Sequence, residues 1–256
     1  MMATVKARID IHVHTRFSAD SIADPEDIIA VAKARGLSGF AVTDHNTSEC
    51  AEYLESVGLM NPSGEAVDGF LIIPGQEITT CAGHLLAIGC SLPSDLKGIP
   101  PEEAIELIHR HGGLAIPPHP YDFFRAGIRE PILEELPIDA LEVFNAATTL
   151  RRYNTHARHY AEKRGIPMTA ASDAHHPEAV GTAHLIVEVP SLTVAHVLEA
   201  IRRGAELHQA YLTPKEALKK TWNNWMRFGK RQSHRPELAQ FEARKKSQAD
   251  STDQPV

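Results

Sequence analysis

The sequence predicts an α/β fold whose strands close, or nearly close, into a barrel. Two observations predict it. Short apolar runs alternate with amphipathic helical stretches over the first two-thirds of the chain, the pattern of parallel βαβ units. The runs number about seven, which suits a parallel barrel better than a two-layer sandwich.

Residues 6–13 alternate apolar and polar and read as the first strand. Asp24-Pro25-Glu26 opens a helix, with Asp as cap, proline at the first helical position and acid in the first turn. Ile28, Ile29, Val31 and Ala32 give it an apolar face, and Gly36 stops it. Residues 39–43 form a strand and 49–57 a helix; strands follow at 70–73 and 85–88. A helix at 101–111 ends on Gly112-Gly113, and a short buried strand at 114–116 ends on Pro117-Pro118. A strand at 140–144 precedes a long polar-faced helix at 149–164, closed by Gly165. Strands at 168–171 and 185–189 and a helix at 193–203, stopped by Gly204, complete the series. From Gly229 onward Lys, Arg, Gln, Ser and Asp dominate. The expected division is one folded domain over 1–228 and a charged tail over 229–256, either a frayed helix or disordered.

The 256 residues, 43% hydrophobic and 23% charged, suffice for one large α/β domain. No apolar run approaches the roughly 20 residues that span a bilayer. Residues 1–10 lack the apolar stretch of a signal peptide. A cytoplasmic protein without a membrane partner is expected. Cys50, Cys81 and Cys90 have neither disulfide nor zinc-site spacing and read as free thiols. A net charge of -7 argues against a broad basic surface for duplex nucleic acid, though not against one strand end entering a small site. Fifteen histidines is a high count, and histidine is the commonest metal ligand.

The chemistry concentrates at strand ends. His12 and His14, in Asp10-Ile11-His12-Val13-His14, share a strand face because side chains alternate with period two. Alone this is weak, since short motifs recur by chance. Asp20 follows the first strand by a short loop. His45, in Thr43-Asp44-His45-Asn46, follows the second; Glu77 follows the third; His84 enters the fourth. His119 and the Ser172-Asp173-Ala174-His175 segment each follow a further strand. Strand ends of a parallel barrel gather on one face, so these separate elements would converge on one pocket. The bland alternatives are single satisfied histidines and helix caps, the latter real for Asp44 and for Asp173 before Pro177-Glu178. His109 and His111 lie on a helix, where i and i+2 diverge, and read as helix-end partners. His156 and His159 read as solvated or packing, and His176, His184, His196, His208 and His234 as structural.

These residues resemble the PHP family, the polymerase-and-histidinol-phosphatase domain, from about Arg8 to Val189. The resemblance rests on D-x-H-x-H-T at residues 10–15, S-x-D at 18–20, T-D-H-N at 43–46, Glu77, Gly83-His84, His119-Pro120 and S-D-A-H at 172–175. It implies a distorted seven-stranded (β/α)7 TIM-like barrel with a trinuclear metal site. His12, His14, Glu77 and Asp173 would bind one metal; Glu77, His84 and His119 a second, with Glu77 bridging; Asp20, His45 and His175 a third. Only 35 residues separate His84 from His119, so the resemblance is to a compact member without an inserted subdomain.

Imidazole and carboxylate ligation suits two or three zinc, manganese or iron(II) ions better than magnesium or calcium. Two metals held close would lower the pKa of a shared water to near neutrality. The expected activity is hydrolysis of a phosphomonoester of a small metabolite or nucleotide, with Glu77, Asp173 and His175 at the chemistry. Arg16, Arg151 and Arg152 are candidate phosphate clamps. The alternative is a phosphodiesterase or exonuclease acting on nucleic-acid ends. An amidohydrolase of the carboxylated-lysine kind and a non-enzymatic metal-binding module are the remaining readings; Glu77 in the bridging place weighs against the first, a full ligand set against the second. Oligomeric state is not legible.

Overall fold

A computed structural model describes residues 4–211 and 236–252. The first strand, β1 (Val5–Val13), holds the centre of a five-stranded sheet. It pairs in parallel with β2 (Gly39–Val42), which pairs in parallel with β3 (Leu71–Ile73). On its other side β9 (His184–Val189) runs antiparallel, followed by antiparallel β10 (Glu206–His208). A second sheet is an antiparallel meander of β4 (Gly75–Thr80), β5 (Gly83–Ile88) and β6 (Leu114–Ile116). A third is the parallel pair β7 (Leu141–Asn145) and β8 (Met168–Ala171).

The expectation of an α/β fold built of about seven strands is met in part: the fold is mixed α/β, and no closed barrel is seen among the described residues. The described strands number ten, form three sheets and include antiparallel pairs. Residues 75–80, expected as loop, form β4, because each of their residues pairs with one of β5 across a tight turn. Single bridges link the sheets: Val13 to Ala174 between the first and third, and His45 to Glu77 between the first and second.

Strands of all three sheets contribute to one apolar cluster. Ile9, Ile11, Ala41, Ile73, Leu86, Ile116 and Ala171 meet there, and α6 (Val194–Arg203) closes it with Val197, Leu198 and Ile201. Each such fully buried aliphatic side chain contributes about 1.5–3 kcal/mol. The other strand faces carry helices. Phe40 and Val42 pack against α1 (Pro25–Ala34) and α2 (Glu49–Ser56). Leu85, Ala115 and Val143 pack against α3 (Pro101–Arg110) and α5 (Arg151–Arg164). A one-turn helix, α4, spans Ile132–Glu135.

The register of β1 slips between Asp10 and Val13. Ile9 and Ile11 therefore lie in the inner cluster, while Val13 packs with the outer helices. An irregularity of this kind re-aims a strand's side chains, and it falls at the start of the His12-Val13-His14 motif. Within the segment expected as a charged tail, Pro236–Thr252 forms a helix, α7. Leu238 is fully buried, and Phe241 meets Phe17 and Tyr53 edge-on. The rest of that segment, 229–235 and 253–256, lies outside the described residues, as does His234. No helix among the described residues is long and apolar enough to cross a membrane.

Candidate metal centre

The strand ends bring nine sequence-predicted residues together. Glu77, on β4, stands at the middle and is almost fully buried. Its Oε2 lies 3.1 Å from both His12 Nε2 and His14 Nε2 and 3.6 Å from His45 Nδ1. Its Oε1 lies 2.7 Å from His84 Nδ1 and 3.2 Å from His119 Nε2. Asp173 Oδ1 lies 3.7 Å from His12 Nε2, 3.6 Å from His14 Nε2 and 3.4 Å from His175 Nδ1. Asp20 Oδ2 lies 2.7 Å from His175 Nε2 and 3.3 Å from His45 Nε2. Four overlapping groups have ligand atoms within 4.8 Å of one another: His14, Asp20, His45 and His175; His12, Glu77 and His119; His12, His14 and Asp173; His45, Glu77 and His84. These differ in detail from the sets expected by resemblance: His14 joins the Asp20 group, and His45 joins His84.

The proton positions fit cations between these atoms. A carboxylate can only accept, so His12 Nδ1, 3.0 Å from Glu142 Oε1, donates. Its Nε2 then faces Glu77 Oε2 and His14 Nε2, each at 3.1 Å. His175 Nδ1 donates to the Asp173 carbonyl at 3.0 Å, so its Nε2 lone pair faces Asp20. Asp173 Oδ1 is buried with no hydrogen-bond partner, although three imidazole nitrogens surround it. Buried acceptors aimed at one another are costly, and a divalent ion among them satisfies all of them. The donor set, imidazole with carboxylate, suits divalent metal ions.

Ionisation follows the same crowding. Burial alone would raise the Glu77 pKa, but the imidazoles of His12, His84 and His45 outweigh it and hold the carboxyl well below its usual range. Burial is likewise outweighed at Asp173 by Arg125 and His12, and at Asp20 by His175 and His45; both are lowered. Burial would lower His45, but Glu77 and Asp20 lift it to about 9. Burial together with the neighbouring His14 takes His175 down to about 4.

Local backbone geometry serves the site. Among the described residues six non-glycine residues have positive φ, and Asn46, His119, Tyr121, Ala126 and Asp173 are five of them. Such conformations cost on the order of 1–3 kcal/mol each and cluster where function requires them. Asp173 caps no helix, since the short turn at Pro177–Ala179 begins after His176. Asp44 accepts from Thr15 N and Thr15 Oγ1, both at 2.6 Å, and so fixes the loop between His14 and Asp20.

Three side chains that touch the cluster escaped the sequence reading. Glu142, fully buried on β7, also accepts from His119 N at 2.7 Å and Asn145 Nδ2 at 2.8 Å. Asn145 donates again to Asp173 Oδ2 at 2.9 Å. Arg125 lies 2.6 Å from Asp173 Oδ2 through Nη2 and donates to Ala147 O at 2.9 Å through Nη1. A carboxylate inside the apolar run 140–144 was the available signal for Glu142; Arg125 carried none. The arginines named from sequence have other partners. Arg16 pairs with Asp24 and Glu242, both at 2.8 Å. Arg151 stacks on Tyr211 and Arg152 on Tyr153, and both are exposed. His109 meets Asp139 at 2.8 Å, His111 meets the Leu107 carbonyl at 2.9 Å, and His156 stacks on Tyr121.

Comparison with known proteins places this geometry. Residues 10–111 match the PHP domain family and 151–206 the PHP-associated family. The first match holds His12, His14, Asp20, His45, Glu77 and His84; the second holds Asp173 and His175; His119 lies between them. The uncharacterized protein MJ1587 of Methanocaldococcus jannaschii is 37% identical over 150 residues, 54% of this chain and 82% of that protein. MJ0417 of the same organism is 27% identical over 186 residues, 70% and 69% of the two chains. The fold is similar to that of PsfC from Pseudomonas syringae, with a TM-score of 0.64 and 17% identity over 86% of this chain and 98% of that one. A two-domain protein of Bacteroides vulgatus, described as containing a predicted PHP-like metal-dependent phosphoesterase, gives 0.60 and 20%, covering 86% and 70%. The lesion-specific endonuclease Q of Pyrococcus furiosus gives 0.60 and 19%, covering 85% and 66%. Motif order, buried ligand cluster and sequence matches agree: the chain belongs to the PHP family of metal-dependent phosphoesterases.

Proposed function

We propose that this protein hydrolyses a phosphomonoester of a small metabolite or nucleotide at a trinuclear centre. The single observation that carries the reading is the convergence of Glu77, Asp173 and Asp20 on six imidazoles whose ring nitrogens face carboxylate oxygens. His12, His14, Glu77 and Asp173 would hold one ion; Glu77, His84 and His119 a second; Asp20, His45 and His175 a third. When bound, such ions supply a water ionised near neutral pH and positive charge for the phosphate oxygens. Glu77 offers one oxygen to each of two neighbouring groups and so fixes their separation. Glu142 orients His12 and His119 from behind. Arg125 is the guanidinium at the cluster's edge; with Nη2 on Asp173 and Nη1 on the Ala147 carbonyl, it would offer its positive charge to the phosphate. His175 or Asp20 would stand nearest the leaving oxygen. No serine or cysteine nucleophile is required.

The three sheets, joined by single bridges around one inner core, are read as a distorted seven-stranded TIM-like barrel, and residues 1–228 as one PHP unit in a cytoplasmic protein. Action on nucleic-acid ends is the second reading; it would need a cationic approach, which a net charge of -7 does not supply.

The test is elemental analysis of the purified protein together with a screen of nucleotide monophosphates, sugar phosphates and a short oligonucleotide. Two or more equivalents of zinc, manganese or iron and turnover of a monoester are expected. In Glu77→Gln both should fall, activity by more than about 100-fold. A metal-free wild type that resists reloading, or a fully active Glu77→Gln, overturns the reading.

A further inference from the structure

Ser18 opens the S-x-D motif whose aspartate enters the cluster, and it is itself buried. Backbone bonds close the turn that carries it: Ser18 N donates to Thr15 O at 2.9 Å, and Ser21 N to Ser18 O at 3.3 Å. The side chain is spent elsewhere, on three of the four residues of one ligand group, His14, Asp20 and His45. Ser18 Oγ donates to Asp20 Oδ1 at 2.7 Å, accepts from His45 N at 3.2 Å and lies 3.4 Å from His14 Nδ1.

A hydroxyl has one proton and two lone pairs. The proton goes to Asp20, because a carboxylate can only accept, so the other two contacts are made by the lone pairs. His14 Nδ1 is then the donor. A neutral His14 keeps its Nε2 bare, 3.1 Å from Glu77 Oε2 and 3.6 Å from Asp173 Oδ1. Asp20, tied through Oδ1, presents Oδ2 to His175 Nε2 at 2.7 Å and His45 Nε2 at 3.3 Å. The bond to His45 N holds the backbone just past β2. One oxygen atom sets a tautomer, the aim of a carboxylate and a main-chain position.

These contacts fall unevenly on the three ions. Ser18 touches two of the three ligands Asp20, His45 and His175, one of the four ligands His12, His14, Glu77 and Asp173, and none of Glu77, His84 and His119. The side chains of Asp20 and His45 are also 36% and 23% exposed, against 1% or less for His12, Glu77 and Asp173. Ligands with less packing around them depend more on hydrogen bonds for their geometry.

We propose that Ser18 is the positioning residue of the outer ion, the one at Asp20, His45 and His175, which is lost first when the hydroxyl is removed. The inference rests on the trinuclear reading and assigns a residue to one of its three ions. Ser21 supplies the contrast. Its hydroxyl is buried in the same loop but meets backbone alone, the carbonyls of His14 at 3.3 Å and His175 at 3.0 Å and the N–H of Ala23 at 3.3 Å.

Titrating zinc-loaded protein with a competing chelator, with elemental analysis at each step, counts the ions and ranks them. Ser18→Ala should release one equivalent with an affinity roughly 10–100-fold below that of the wild type and hold the others more tightly. Ser21→Ala should follow the wild type. A Ser18→Ala protein that holds every ion as the wild type does, loosens all of them equally, or is matched by Ser21→Ala overturns the assignment. Histidine 15N spectra of the metal-free protein, at a pH where the ring is neutral, give a second readout. His14 is expected to carry its proton on Nδ1 in the wild type and to lose that preference in Ser18→Ala. A wild-type His14 protonated on Nε2, or a preference that Ser18→Ala retains, overturns the role of Ser18. A wild type that takes up fewer than three ions defeats the trinuclear reading separately, and the spectra then decide whether Ser18 positions His14.

Discussion

At Glu142 one carboxylate holds the imidazole of His12 and the backbone of His119. It accepts from His12 Nδ1 on one oxygen and from the backbone N–H of His119 on the other. In Glu142→Gln one of those donors would face an amide NH2, so the His12 ring or the His119 backbone would lose its hold while the volume stays the same. Metal affinity is expected to fall roughly 10–100-fold, read by competitive chelator titration. Arg125→Lys is the second test at this scale. A lysine is a point charge without the fork that spans two oxygens, so KM for a monoester should rise roughly tenfold, about 1.4 kcal/mol, with a smaller change in kcat. The nine cluster residues were legible because each stands in a short motif beside a strand end. Glu142, Asn145 and Arg125 were not, because their roles come from partners 23 to 130 residues away in sequence. Arg16 shows the converse: it adjoins His14 in sequence, yet its side chain pairs with Asp24 and Glu242.

Elements repeat the lesson. Strands with strong apolar runs, such as β1, β2 and β8, were read within a residue or two, as were α1, α3 and α6. β4 was missed because Gly75-Gln76-Glu77-Ile78-Thr79-Thr80 has no apolar run. Glu77 faces the ligand cluster and the strand's backbone is satisfied by β5, neither of which a local pattern records. α7 was read by composition, which sees charge and not the few apolar residues that dock. Those residues make a test. Leu238→Ala removes a fully buried side chain and should cost about 2–5 kcal/mol of docking energy. A 17-residue helix has little stability of its own in water. α7 should therefore lose hydrogen-exchange protection in this variant while β1 and β5 keep theirs. Retained protection throughout α7 would refute its dependence on docking. Arg16 would lose its Glu242 partner and keep Asp24.

For the whole molecule, the ligand cluster and the fold's stability are linked. Ions that bind the folded state alone raise its stability by about 4 kcal/mol at a thousandfold excess over Kd. For a chain of this size that corresponds to roughly 8–16 °C in Tm, so chelation should produce a fall of that order, reversed by zinc or manganese. An unchanged Tm would mean that the cluster holds itself together without them. The place where that energy acts follows from the single bridges, Val13 to Ala174 and His45 to Glu77. Each joins one sheet to another by one residue pair, and each lies beside ligands from both sheets. Ions among those ligands would work as rivets across two otherwise thin seams. A newly made chain that folds before its rivets arrive would gape along those seams, so loading and assembly would be one event.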